Sequence, residues 1–286
     1  MRTGNYISLA ALVLMLGFTC PPAIPAFANN DIMDETDGPA IPPSREELEN
    51  VPKLNKVIDE QAGIPFDIRL NAIRQAALSY GARGGLAWRT FHIRQEMDAR
   101  STYLDKTFDF RQLLISAPSG LLIEPPVVTE SINSLIINGK GDEAAVSDRI
   151  YDIVVNARIV AAARSWRNYL ERDWGKVADP PDLLRPNNAE EREKWIDWVR
   201  EGWDEGVRQA DDIFRDDLNS LTADYQGMVR YRMLLAQGIV TPPYALQMDR
   251  GITGGGEVLR VGDRAVQITG MPALIPGSER WQPANR

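Results

Sequence analysis

From Trp195 onward apolar residues return every third or fourth position: Trp195, Trp198, Trp203, Val207, Ala210, Phe214, Leu218, Leu221, Tyr225, Met228 and Leu235. That spacing lays one apolar stripe along a helix. Asn188 stands three residues before Glu191, the spacing of a capping box. Gly238 and then Pro242-Pro243 mark the far end, since glycine suits a left-handed cap and proline forbids continuation. The pattern predicts a helix over about 188–237, as one piece or two collinear ones. Gly202, Gly206 and Gly227 are its kinks or points of close approach.

Upstream, Ile68, Ala72 and Ala76, with Ile73 and Ala77 one position on, predict a helix over 67–79. Gly81, Gly84 and Gly85 interrupt it, and a second helix-like stretch rich in Arg and Glu covers 86–104. The middle of the chain changes period. The short apolar run 121–123, Val127-Val128, the run 135–137 and a Gly139-Lys140-Gly141-Asp142 turn suggest a small β region. In 148–159, alternation of Tyr151, Ile153, Val155, Ala157 and Ile159 reads as strand, although Ile150, Ile153, Val154 and Ala157 also suit a helix. At the end, 257–261 and 264–269 flank Gly262-Asp263, a two-residue turn of the tight hairpin kind. That register sets Leu259 opposite Val266 on one apolar face. The expected fold class is α+β: N-terminal helices, a small central β region, one long C-terminal helix and a terminal β-hairpin. It occupies a single domain, 54–286.

The first residues have another character. Arg2 precedes an apolar run over 7–18, followed by Pro21-Pro22. A charged start, a short apolar stretch and small residues beyond it form a secretory signal peptide. The run is shorter than the ~20 residues a spanning helix needs. Ala26-Phe27-Ala28 places the preferred cut after Ala28, giving a 1–28 signal. The rival is lipidation at Cys20, although Gly17, Phe18 and Thr19 make a poor lipoprotein motif. Residues 29–53, acidic and dotted with proline, read as a flexible tether. The expected location is the periplasm, associated with the outer membrane.

Composition removes several chemistries. Cys20 is the only cysteine and His92 the only histidine, so thiol nucleophiles, cysteine metal sites, His-rich metal sites and an internal disulfide are excluded, and His92 is the single candidate for imidazole base chemistry. A net charge of −8 lacks the basic surface that nucleic-acid binding requires. Gly254-Gly255-Gly256 is followed by no Gly-Lys-Ser/Thr and by a strand, so it reads as plain loop rather than phosphate cradle. His92 reads as a solvated helix-surface residue. Asp204-Glu205 and Asp211-Asp212, mixed with Arg and Lys, look like a solvated ion-paired face. Two carboxylates at the right separation would serve a glycosidase, so a periplasmic carbohydrate-active or wall-remodelling enzyme is the alternative reading. Trp195, Trp198 and Trp203 fit a sugar platform, core packing or a subunit interface.

Longer matches point elsewhere. Gly202-Trp203-Asp204-Glu205-Gly206, Asp224-Tyr225-Gln226-Gly227-Met228, Leu235-Ala236-Gln237-Gly238-Ile239-Val240 and Pro242-Pro243-Tyr244 resemble DotC-type lipoproteins of type IVB secretion machines. So do Arg250-Gly251-Ile252-Thr253-Gly254, Arg260-Val261-Gly262-Asp263-Arg264-Ala265-Val266, Ile268-Thr269-Gly270 and Arg280-Trp281. The resemblance runs from about Ile64 to Trp281. It implies a structural subunit of a Dot/Icm-like or conjugative core complex, without catalysis, cofactor or metal. Its implied partners are a secretin-like channel subunit and a second small lipoprotein, within an oligomeric ring and without direct nucleic-acid contact. Candidate partner contacts are Trp195, Trp198, Trp203, Tyr225, Tyr244, Arg260 and Trp281.

Overall fold

The computed structural model describes residues 41–52, 66–137, 144–277, 279 and 281–282. In chain order it contains helices α1 (Arg45–Glu49), α2 (Phe66–Ala99) and α3 (Ser101–Thr107), then strands β1 (Ile115–Ser116), β2 (Leu122–Glu124), β3 (Val127–Ile137), β4 (Ala144–Val155) and β5 (Arg158–Val160). Helices α4 (Arg167–Leu170) and α5 (Ala189–Ala236) follow, and strands β6 (Tyr244–Gly255) and β7 (Val258–Gly270) close the chain. The fold is α+β, as the periodicities predict. Cys20, Ala28 and the turn at 139–142 lie outside the described residues.

The long helix is one piece of 48 residues. Asn188 Oδ1 accepts the Glu191 amide at 2.8 Å. Glu191 reaches back to the Asn187 amide rather than to that of Asn188, so the predicted capping box closes one residue early. At the other end Gly238 takes the left-handed conformation, φ 70°, and its amide bonds to the Leu235 carbonyl.

Helix α2 differs from expectation. Gly81, Gly84 and Gly85 lie inside a continuous 34-residue helix and break nothing. They form the seam on which α5 rests. A Cβ on Gly81 would stand 2.3 Å from the Val199 carbonyl oxygen, and one on Gly85 2.2 Å from that of Trp203. Reciprocally, a Cβ on Gly202 would stand 2.2 Å from the Leu78 carbonyl oxygen, and one on Gly206 2.1 Å from that of Ala82. Residue numbers rise together along both helices, from Arg69 beside Glu191 to Arg89 beside Asp211, so α2 and α5 run parallel. Glycine pairs at i, i+4 let the two backbones touch. Packing against a neighbour thus overrides the intrinsic cost of about 1 kcal/mol per helical glycine.

On this pair lies a core of Leu48, Val51, Ile73, Ala77, Tyr80, Trp195, Val199 and Trp203. Residues 41–52 therefore depart from the tether reading. Ser44 and Glu47 make a complete capping box for α1. Leu48 and Val51 are buried, and the Trp195 indole N–H donates to the Leu48 carbonyl at 3.3 Å. Too little apolar surface to fold alone is still enough to dock.

The β region has two parts. Strands β1, β2 and β5 form a small antiparallel sheet in the order β1-β2-β5, with Ile123 between Ile115 and Ile159. Strands β3 and β4 form a separate antiparallel hairpin, which resolves the strand-or-helix ambiguity at 148–159. Gly227 admits this hairpin to α5, because a Cβ there would meet the Val127 side chain at 2.4 Å. Arg230 Nη1 donates to the Val128 carbonyl at 2.6 Å, and Val128 packs with Tyr231, Leu234 and Val240.

The terminal hairpin exists but turns elsewhere than expected. Its reversal is Gly256-Glu257, with Gly256 at φ 68°. Strands of 12 and 13 residues pair from Tyr244↔Gly270 to Gly255↔Val258. Leu259 pairs with Gly254, not Val266. Gly262-Asp263 is an irregularity inside β7, opposite one in β6 at Arg250-Gly251. A reversal at Gly262 would leave the whole of β6 unpaired, and each unpaired amide and carbonyl costs free energy when water is excluded.

Candidate functional site

The positions expected to meet partners divide sharply by exposure. Trp195 and Trp203 are buried between α2 and α5, and Trp198 packs against the same core half-buried. Tyr225 is held edge-on by Phe108 and Phe110, with ring centroids 5.5 and 5.2 Å away. These four build the body and do not gather into a platform. Tyr244, Arg260 and Trp281 are exposed and belong to the terminal hairpin and the segment after it. His92 is not freely solvated: its ring lies 4.0 Å from Trp88, and Nδ1 is 2.7 Å from the Trp88 carbonyl.

The hairpin carries the most unusual surface. Pairs Leu246↔Gln267, Met248↔Ala265, Ile252↔Val261 and Gly254↔Leu259 hold one register on both sides of the irregularity. Side chains two apart on an uninterrupted strand share a face, so Tyr244, Leu246 and Met248 share one near the base, and beyond the irregularity Ile252, Leu259 and Val261 share one near the tip. These six are between 45% and 75% exposed. Exposed apolar side chains gathered on one hairpin are the kind of surface that interaction sites use.

The base of the hairpin is fixed to the end of α5. Ile275 donates to Ile239 at 2.7 Å, Thr241 to Ala273 at 2.9 Å and Gln282 to Gln237 at 2.8 Å, all through the backbone. Val240 and Leu274 form an isolated bridge. The Trp281 indole donates to the Ile275 carbonyl at 3.0 Å.

A second constellation, not anticipated from sequence, surrounds Arg164. Glu124, 3% exposed, accepts from Arg158 Nε at 3.0 Å and from Arg164 Nε at 2.9 Å. Arg164 Nη1 also reaches Asp224 at 2.8 Å, and the Tyr169 hydroxyl donates to Asp224 at 2.6 Å. Burial and then the bond to Asp224 push the Tyr169 pKa up to about 12. Burial by itself would lower the Arg164 pKa, but its bonds to Glu124 and Tyr169 outweigh this and raise it. The one sequence signal was Glu124, a lone charge closing an apolar run before Pro125-Pro126. The network ties the small sheet and the α4 segment to α5.

Arg164 also lines an open groove of about 680 Å³ with Asp105, Phe108, Asp109, Phe110 and Trp166. The carboxylates here are bonded to neighbours. Asp105 accepts the Trp166 indole at 2.7 Å. Asp109 accepts Arg111 Nε at 2.8 Å, a bond that lowers its pKa. The helix carboxylates also have partners: Asp211 with Arg89 at 2.7 Å and Asp212 with Arg215 at 2.6 Å. Among the described residues no group of three or more His, Cys, Asp or Glu is placed to hold a metal. None of their helices is long and apolar enough to cross a membrane.

The chain is thus an α+β body with one long helix and an exposed apolar hairpin beyond its end. Residues 67–283 match the family described as type IV secretory system, conjugal DNA-protein transfer. The chain belongs to that family and is a type IV secretion-related component, with other components of such systems as its partners. No curated protein matches the sequence significantly.

Proposed function

We propose that this chain is a DotC-type, non-catalytic subunit of a type IVB secretion or conjugative core complex, held at the periplasmic face of the outer membrane. There it helps to place the secretin-like channel subunit, beside a second small lipoprotein. The family match over 67–283 carries this reading. The residue-level resemblance after Trp195 narrows it, and the exposed apolar side chains of the hairpin supply a docking surface of suitable kind. Its contacts are with protein rather than DNA, in keeping with the charge of −8.

Site-specific photo-crosslinking in cells that carry the transfer machinery tests the reading. A photoreactive residue at Tyr244 or Trp281 should give adducts with the channel subunit, and one at Asp204 on α5 should not. Deletion of the chain should leave the channel subunit mislocalised on membrane fractionation. Normal channel assembly without the chain, or turnover of wall glycan by the purified protein, would sink the proposal. Mass spectrometry of the mature N-terminus distinguishes cleavage before Asn29 from a lipid on Cys20.

A further inference from the structure

The segment around α1 sits on the start of α5 through contacts of its own. Its helix is capped from within: the Glu47 amide donates to Ser44 Oγ at 3.3 Å and the Ser44 amide to Glu47 Oε2 at 3.1 Å. Five residues are too few for a helix to persist alone in water, so α1 keeps its shape by docking.

The seat is specific. Gly84 of α2 leaves a notch for Leu48, since a Cβ there would stand 2.3 Å from Leu48 Cδ2. Leu48 and Val51 are 0% and 3% exposed. The buried Trp195 indole and Arg192 Nη2 donate to the carbonyls of Leu48 and Val51 at 3.3 and 2.9 Å. Arg200 holds the Glu49 carboxylate with two bonds, 2.9 and 3.2 Å. A notch, two carbonyl-reading donors and a guanidinium fork together recognise a short acidic helix that carries leucine.

Two features make the seated segment separable. Helices α2 and α5 meet backbone to backbone at Gly81, Gly85, Gly202 and Gly206, so their seam does not depend on it. Pro52 and Phe66 are separated by the residues 53–65, a length of chain that can reach about 45 Å. Yet Val51 and Arg69 bond to neighbouring residues of α5, Arg192 and Glu191. The connection is far longer than the step between them.

We propose that residues 44–51 are a clasp, a recognition segment of this chain that seats in the α2–α5 notch and releases while the body stays folded. Seated, it fixes the point where the N-terminal part of the chain leaves the rod, at the start of α5. Released, it moves that point to Phe66 and bares the Trp195 N–H and the Gly84 notch. The clasp goes beyond the secretion reading and is measurable on the purified chain alone.

Hydrogen exchange of the full chain, read by mass spectrometry, tests it. Amides of 45–51 should exchange about a hundredfold or more faster than those of 196–206, through an opening that leaves α5 protected. Leu48→Ala should speed 45–51 by about a further thirtyfold through lost packing. Gly84→Ala fills the notch and should speed it about fivefold or more. In both variants α2 and α5 should keep their protection. A chain with Cys20→Ser, Glu49→Cys and Arg200→Cys, treated with a short bis-maleimide, should be joined within itself and open more slowly.

Exchange of 45–51 only together with α5 overturns the proposal, because the segment is then an inseparable part of the core. Loss of protection throughout the body in both variants overturns it for the same reason. A crosslinked product of twice the mass overturns it by seating the segment on a second copy. None of these outcomes touches the crosslink from the hairpin to the channel subunit, so the two readings fail separately.

Discussion

Substituting Gly206 by alanine tests whether the α2–α5 seam is as close as the geometry makes it. The new Cβ would sit 2.1 Å from the Ala82 oxygen and 2.8 Å from the Leu86 amide nitrogen. Ordinary contact begins near 3.4 Å, so the gap falls short by about 1.3 Å. Both obstructing atoms are backbone of a helix, so no rotamer change relieves the clash. The helices must separate, loosening Trp203 and Ala210 with them. Overpacking of this kind costs about 1–3 kcal/mol, occasionally more. Alanine returns about 1 kcal/mol through helix propensity. With immovable backbone on both sides the clash falls at the upper end, for a net loss of about 2 kcal/mol. For a domain of this size that lowers the thermal midpoint by about 4–8 °C, readable by circular dichroism. Gly227→Ala should cost less than half as much, because its nearest obstacle is the Val127 methyl, which can turn away. A Gly206→Ala protein as stable as its parent, or more so, would show propensity acting alone and refute the seam.

Other perturbations probe the remaining joints. Arg164→Met strips the buried Glu124 of its deepest partner and leaves Asp224 with only Tyr169 in that network. Urea unfolding should show a loss of about 3 kcal/mol. Arg158→Ala removes a mostly exposed partner of the same carboxylate and should cost less than about 1 kcal/mol. Asn188→Ala deletes the cap of α5 and should cost about 1 kcal/mol in the same assay. Tyr80, Tyr169 and Tyr231 are raised to about 12, each chiefly by burial. A raised folded value means that their contribution to stability is complete below pH 10 and is lost as pH rises through 12. The thermal midpoint should fall across that window, while tyrosinate absorbance shows three of eight tyrosines titrating late. Ionisation of Tyr80, Tyr169 and Tyr231 near pH 10 in a folded chain, with no late-titrating fraction, would contradict their burial.

Legibility followed the strength of periodicity. The stripe from Trp195 to Leu235 needs only one apolar face and two end signals, and α5 begins and ends where they stand. The same reasoning misjudged Gly81, Gly84 and Gly85, because a glycine that breaks a helix and one that admits a neighbour look alike along one chain. Only Gly202 and Gly206, 121 positions beyond Gly81 and Gly85, distinguish the two, and that correspondence appears once the helices are laid side by side. Gly262-Asp263 misled for a related reason. Gly262 does have a positive φ, 72°, but uses it to cross an irregularity in mid-strand. Residues 244–255 had to be recognised as a strand before the true reversal at Gly256 could be seen. The tryptophans were found, with core packing left beside a subunit interface, since a helix stripe does not say whether its cover is self or partner. The Arg164 network brings together positions 124, 158, 164, 169 and 224, and no local pattern announces such a convergence.

The placement of these features along α5 bears on the proposed role. Leu48 and Val51 dock near its start, where Trp195 bonds to the Leu48 carbonyl and Arg192 to that of Val51 at 2.9 Å. The hairpin base is bonded beyond its end, at Gln237 and Ile239. From Trp195 to Gln237 the helix rises about 60 Å. Between those points the glycine seam, the Arg164 network and the Gly227 contact each fix a different neighbour to the same rod. A flexible linker of equal length would let the hairpin wander. A helix braced at three levels presents the hairpin at one distance and one orientation from the docked N-terminal segment. In the proposed assembly subunit that rigidity matters more than any single contact, because a partner meets the hairpin only where the rod holds it. Loosening the seam with Gly206→Ala should therefore weaken the crosslink from Tyr244 to the channel subunit even though no hairpin residue is changed. An unchanged crosslink in a measurably destabilised protein would separate the rod from the hairpin's function.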